Sequence, residues 1–333
     1  MGPRIRTTLV GSYPLPDWLK ALPSRQALLD ATSVVLKIQE NAGIDLVVDG
    51  ELFRFDVNHP DTNGMIDYFV RPLAGVRTEI GREDLRRFRR IKGMGFRARP
   101  AGVVEEELGE GTLDLPEDCR LAKSLTHSPY KFTLTGPHML SKTLLDKHYG
   151  SAEKLCRALA EILAAQVADL QADVVQIDEA NITGHPEDAE WAAECINLVL
   201  EQVSTLPAVH MCFGNYGGQT IQRGRWSRLI GFLDRLEADH VLVELAHRPD
   251  KELQYLAETD QEVKFGLGVV DIKTNVVEAP EEIARRIERA ARVLGPEKIA
   301  CVNPDCGFWM LPRSAADRKI SALVEGRNLY EGR

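Results

Sequence analysis

The sequence predicts a (β/α)8 barrel, and three observations point there. Eight short, β-branched runs alternate with longer stretches of helical patterning along the chain. The length of 333 residues suits a barrel of roughly 250 residues carrying one insertion. Polar and charged residues recur where the strand runs end, on the rim where such barrels build their sites.

The elements follow in order. Residues 5–10 form a first strand closed by Gly11-Ser12, and residues 24–41 read as a helix stopped by Gly43. A second strand, 44–48, runs into Asp49-Gly50-Glu51, and a third, 131–135, into Gly136-Pro137. A helix over about 152–171 places Leu155, Leu159, Ile162, Leu163 and Val167 at helical spacing. The fourth strand, 173–177, meets Asp178-Glu179. The remaining strands are 208–212, 240–244, 263–271 (interrupted by glycines) and 298–303. The insertion spans about 53–130, between the second and third strands. It holds a basic cluster of Arg82, Arg86, Arg87, Arg89, Arg90, Lys92, Arg97 and Arg99, then turns acidic at Glu105-Glu106-Glu107. Charge runs are usually solvated faces, so a helix and hairpin beside the barrel mouth are expected. The alternative is a lid that helps hold an anionic substrate. Residues 1–333 read as one barrel domain.

Composition excludes several functions. The formal charge is 41 − 50 = −9, which disfavours general nucleic-acid binding. No apolar run is long enough for a membrane span, and residues 1–6 lack the apolar stretch of a secretory signal, so a cytoplasmic protein is expected. In that setting the six cysteines read as thiols or metal ligands, not disulfides. Cys119, Cys156, Cys195 and Cys301 have no partner pattern and read as free thiols.

The strand ends carry Ser12, Glu51, Asp178, His210, Cys212, Glu244, Asp271 and Cys306. His210 and Cys212 are two apart on a strand and share a face. A barrel brings Glu244 and Cys306, at two other strand ends, to the same rim. A His, Cys, Glu, Cys set suits Zn2+. A lone His-x-Cys is common by chance, and a cysteine is often merely buried. Among these ligands the carboxylate is the displaceable one, so an incoming thiol can join the metal and be deprotonated there. The implied chemistry is alkyl transfer to sulfur.

At this point the chain resembles the cobalamin-independent methionine synthase family, specifically its catalytic C-terminal barrel. The matching segments are Thr7-Thr8-Leu9-Val10-Gly11-Ser12-Tyr13-Pro14, Asp49-Gly50-Glu51, Leu134-Thr135-Gly136-Pro137 and Gln176-Ile177-Asp178-Glu179. His210-Met211-Cys212, Glu244, Gly268-Val269-Val270-Asp271-Ile272 and Asn303-Pro304-Asp305-Cys306-Gly307 complete them. The resemblance implies a (β/α)8 fold, zinc on His210, Cys212, Glu244 and Cys306, and homocysteine held by Gly11-Ser12, Glu51 and Asp178. Two carboxylates match an α-ammonium, and backbone N–H groups match an α-carboxylate. The alternatives are a barrel-mouth salt bridge for the two acids and a simple turn for Ser12.

Three departures from the family pattern stand out. Only one barrel is present where the long members have two. Thr143 occupies the position of the tryptophan on which folate stacks. Lys273 follows Asp271-Ile272 where the family has its proton-donating histidine, so Asp271 and Lys273 are the candidate catalytic pair. A lysine donates a proton near neutral pH only when burial or a nearby cation lowers its pKa; otherwise it pairs with Asp271 or binds an anionic group. The last two departures turn the expectation from methyl-folate toward a methylated corrinoid, free or on a corrinoid protein, or toward a sulfonium or an epoxide. Phe53, Phe55, Tyr68 and Phe69 read as core, while Phe308-Trp309-Met310 could shape an apolar donor pocket. His59, His138 and His247 lie in loops that could reach the site. Gly214, Gly217 and Gly218 form a loop with no ligand assigned. A metal-free decarboxylase and a non-catalytic zinc partner of a corrinoid protein are the competing functions.

Overall fold

A computed structural model describes residues 4–56, 58, 64–91, 97–215, 220–260 and 262–333. His59, Lys92, Gly217 and Gly218 lie outside those residues. Eight parallel strands are present: β1 Arg6–Thr7, β2 Val47–Val48, β3 Tyr130–Thr135, β4 Val174–Glu179, β5 Leu206–Met211, β6 His240–Val243, β7 Phe265–Val270 and β8 Ile299–Pro304. Their order across the sheet is β1-β8-β7-β6-β5-β4-β3-β2, and a parallel bridge from Thr8 to Leu46 joins the two ends. The sheet therefore curls into the barrel that the sequence predicts, each strand lying within a few residues of its expected place. β1 and β2 are short because only part of each extended run finds ladder partners.

A helix follows each strand: α1 Arg25–Ala42, α2 Leu115–Lys123, α3 Ala152–Val167, α4 Ala189–Leu200, α5 Ile230–Leu233, α6 Lys251–Leu256, α7 Pro280–Leu294 and α8 Arg313–Tyr330. The boundaries have local causes. Ser24 caps α1 by accepting the Ala27 N–H at 3.0 Å. Gly43, at φ 87°, ends it and donates to the Gln39 and Glu40 carbonyls. Ser151 caps α3 in the same way through the Lys154 N–H. α3 stops at Val167, short of the expected residue 171, because Leu170 turns back into the core with its N–H on the Val167 carbonyl.

Two apolar layers result. The large one lies between strands and helices. The small one, Val10, Leu46, Val174, Ala208, Leu242 and Cys301, draws on residues in or beside the strands and fills the barrel interior. Side chains alternate along each strand, so Gln176 and Asp178 continue the inward face of Val174, and His210 continues that of Ala208.

The insertion is a helix and hairpin, as expected. Ala74–Arg77 and Val103–Gly109 pair antiparallel, and Leu145–Asp146, after β3, adds a parallel third strand. The helix Arg82–Phe88 leaves Arg82, Arg86 and Arg87 exposed, with Arg89 and Arg90 just beyond it. Phe69 is buried, and Phe53, Phe55 and Tyr68 pack partly buried against the same core.

Candidate functional site

The C-terminal ends of the strands converge on one rim, where His210, Cys212 and Cys306 meet. One ligand atom from each lies within 4.8 Å of the other two. His210 is inward on β5, Cys212 follows that strand, and Cys306 follows β8. Neither buried ring nitrogen of His210 has an oxygen or nitrogen partner, and its near neighbours are the two sulfurs, which leaves the imidazole available as a ligand. The Cys212 and Cys306 sulfurs are 3.6 Å apart. A disulfide holds sulfurs about 2.05 Å apart, whereas two thiolates each about 2.3 Å from a tetrahedral zinc lie roughly 3.8 Å apart. The spacing fits a shared metal ion, as does the soft donor set.

Cys306 donates to Cys212, and that bond, reinforced by His210 against the effect of burial, holds Cys212 well below the ordinary thiol range. The same bond, together with burial, pushes Cys306 well up. Burial opposes charge on His210, but Cys212 and Asp178 more than offset it and raise its pKa.

Glu244, one residue past β6, is fully buried beside this group. Its Oε2 accepts the Phe213 N–H at 3.1 Å, which ties it to the residue after Cys212. Its Oε1 accepts from Lys273 Nζ at 2.9 Å. Glu244 is thus at the rim but engaged by a lysine, outside the converging trio. Lys273 has a different setting from that of a neutral-pH proton donor. Burial lowers its pKa, but Glu244 foremost, then Asp305 and Cys212, outweigh burial and raise it. Its side chain pairs with Glu244, and only its backbone N–H reaches Asp271, at 2.8 Å. Asp271 holds that loop, its N–H on Glu278 and its other oxygen near His247 Nδ1.

The substrate side is built at the ends of β1, β2, β3 and β4. Glu51 has φ 59° and ψ 24°, the one non-glycine residue with positive φ among those described. Such a conformation costs energy and is often retained at functional positions. Gly11 makes room for it, since a Cβ there would come within 2.1 Å of Glu51 Oε1. Glu51 is engaged by Thr133 Oγ1 at 3.0 Å and by Arg54 Nη1 at 3.0 Å. Asp178 accepts Gln176 Nε2 at 2.7 Å on Oδ1, while Oδ2 is buried with no partner. Burial first, then the neighbouring Glu51 charge, pushes Asp178 up to about 7. The Gly11 and Ser12 N–H groups have no acceptor among the described residues. The Ser12 carbonyl accepts the Phe308 N–H at 2.8 Å, which joins this turn to the Cys306 loop.

Four residues have roles that motif reasoning did not assign, although Gln176 and Asp305 lie inside the matching segments. Arg54 is buried and bonds Thr133 twice as well as Glu51. Lys131 and Gln176 link the barrel interior to Asp178. Asp305 accepts the backbone N–H groups of Leu245, Ala246 and His247, fixing the loop after Glu244. Strand parity was the available signal for Lys131 and Gln176, which are polar at inward positions of buried strands.

Elsewhere, His138 is buried against Asp188 and Glu179, and His247 is partly exposed on Asp271. Thr143 is buried, its hydroxyl on the Leu140 carbonyl. Phe308 packs edge-on to Tyr13, while Trp309 and Met310 are exposed. All six cysteines are free thiols.

Residues 5–327 match the family described as cobalamin-independent synthase, catalytic domain. A methionine synthase of Thermococcus kodakarensis is 32% identical over 340 residues, covering 97% of this chain and 93% of that protein. One of Sulfurisphaera tokodaii is 29% identical, covering 98% and 93%. Among solved structures, a B12-independent methionine synthase of Shewanella sp. W3-18-1, in complex with selenomethionine, superposes with a TM-score of 0.82 at 24% identity, covering 99% of this chain and 98% of the other.

Proposed function

The chain belongs to the cobalamin-independent synthase family, catalytic domain, and from that premise we propose that it is a zinc-dependent methyltransferase converting homocysteine to methionine. The convergence of His210, Cys212 and Cys306, with sulfurs at a metal-bridging distance, carries the proposal. Those three residues would hold the ion, with Glu244 as the exchangeable fourth ligand. A bound zinc ion would draw a thiol's pKa down, so that a thiolate nucleophile is available at neutral pH.

The chain's own residues then position the amino acid. Asp178 Oδ2, buried and unpartnered, takes the α-ammonium together with Glu51. The free Gly11 and Ser12 N–H groups receive the α-carboxylate. Arg54 and Thr133 hold Glu51 in place. Asp271 fixes the loop that carries Lys273.

The donor proposed is not a methyl-folate but one whose leaving group needs no protonation: a methylated corrinoid, on its own or on a corrinoid protein, or a sulfonium. Thr143 in place of an aromatic platform, and a Lys273 held charged by Glu244, both support this. We read residues 1–333 as one barrel domain with the insertion at 53–130, whose Ala101 N–H bonds the Thr143 carbonyl after β3. No helix among the described residues is long and apolar enough to cross a membrane; a cytoplasmic location is proposed.

Purified protein should carry one zinc per chain and methylate homocysteine from methylcobalamin or S-methylmethionine in preference to methyl-folate. Cys212→Ser and Cys306→Ser should each remove metal and activity. A fully zinc-loaded C306S protein with normal turnover would refute the proposal. Intact zinc with no thiol alkylation from any donor would instead support a non-catalytic partner.

A further inference from the structure

Glu244 and Lys273 raise a question that the metal site alone does not answer. The proposed function makes Glu244 the ligand that an incoming thiol replaces. Yet Glu244 is fully buried, and a carboxylate displaced from a metal inside a buried pocket is left uncompensated unless a cation receives it. Lys273 Nζ stands 2.9 Å from Glu244 Oε1, with 4% of its side chain exposed. The Lys273 loop is fixed independently, its backbone N–H on Asp271 at 2.8 Å and the Asp271 N–H on Glu278 at 2.6 Å. The opposite oxygen of Glu244 stays on the Phe213 N–H, next to Cys212. Released from the ammonium, the carboxylate would still be anchored on the residue that follows Cys212. In the arrangement described it is on the ammonium, and the trio His210, Cys212 and Cys306 is complete without it.

We propose that Lys273 is a positioning residue that receives the Glu244 carboxylate when a substrate thiol takes its place beside the metal. This rests on the zinc-thiol function proposed above. The charge balance supports it. A thiol would arrive as its thiolate, its proton lost to solvent, as the carboxylate anion left, and Lys273, a cation already in the pocket, would neutralise the displaced Glu244. Lys273 thereby sets how readily the fourth position opens, without touching the substrate.

The test uses the full chain, with zinc affinity measured by competition with a chromophoric chelator and sulfur ligation measured by zinc-edge X-ray absorption. The wild type should show two sulfur ligands alone and three with saturating homocysteine. Lys273→Met should leave Glu244 no cation to receive it. It should then bind zinc more tightly, on the order of tenfold, and keep two sulfurs at a homocysteine concentration that saturates the wild type. Lys273→Arg should restore the third sulfur. Because K273M could fold poorly before metal is added, the E244Q variant and the double variant K273M/E244Q, which removes both charges, complete the set. If Lys273 acts through Glu244, K273M changes nothing in the E244Q background. K273M with wild-type zinc affinity and a wild-type third sulfur would overturn the inference while leaving the proposed function intact. So would an equal effect of K273M with and without E244Q. A wild type that binds no zinc, or gains no third sulfur, would instead overturn the function on which the inference rests.

Discussion

Asp178 is satisfied on one oxygen only. Gln176 holds Oδ1, and Oδ2 is buried with nothing to accept from. Burial and the neighbouring Glu51 charge push its pKa up to about 7, so the free enzyme holds it protonated below that pH and ionised above. An α-ammonium binds the ionised form. The KM for the amino-acid thiol should therefore rise as pH falls below about 7, approaching tenfold per unit. Asp178→Asn should raise KM roughly 100-fold, keep its zinc, and lose that pH slope; a slope surviving in the variant would place the titration elsewhere. At this scale much was legible. His210 and Cys212 stand two apart on one strand, and parity alone puts them on one face. The partner of each acid was not legible. Arg54 stands only three residues after Glu51, but that its other nitrogen binds Thr133 on β3, or that Asp305 accepts three N–H groups from the loop after Glu244, is not given by the order of residues.

β3 and β4 act together through one directional contact. Lys131 has only donors, and its Nζ reaches the Leu9 carbonyl and Gln176 Oε1, both at 2.6 Å. The Gln176 amide must then present its NH2 to the Val10 carbonyl at 2.8 Å and to Asp178 at 2.7 Å. The carbonyls of Leu9 and Val10 immediately precede the Gly11-Ser12 turn, so this pair of strands sets both halves of the proposed amino-acid site. Burial pulls the Lys131 pKa down to about 8, which still leaves it charged at neutral pH. Lys131→Met strands two buried acceptors and should destabilise the protein by about 2–4 kcal/mol. It should also raise KM with little change in kcat for the protein that folds, and urea titration beside steady-state kinetics would check both. β7 shows the same dependence in another form. Its glycines look like strand breakers in the sequence, yet a Cβ at Gly268 would come within 2.3 Å of Asp305 Oδ1, so the missing side chain is what admits Asp305.

Closing the barrel is a property of the whole molecule. β1 reaches β2 through the Thr8–Leu46 bridge, and the seam is held from outside by Arg327 on α8. Fully buried, Arg327 donates to the Ile5 carbonyl and to Asp45, both at 2.6 Å. Arg4 shares Asp45 at 2.9 Å, so removing Arg327 would not leave that carboxylate bare. Arg327→Met should therefore destabilise by about 2–4 kcal/mol, at the lower end of the loss from a broken buried pair. The urea midpoint should fall while folded protein retains its zinc stoichiometry; an unchanged midpoint would mean the seam does not depend on this residue. By itself the sequence determined the eight strands, the helices α1 and α3, the Gly43 stop of α1 and the rim positions of the polar residues. Those depend on side-chain periodicity and local backbone geometry, which neighbouring residues carry. Only the tertiary structure decided that Glu244 rests on Lys273, that Arg54 holds Glu51, and that Asp178 keeps one oxygen free. The first joins residues that follow two different strands, while the other two depend on the left-handed turn at Glu51 and on burial at the barrel mouth, which no local stretch of sequence specifies.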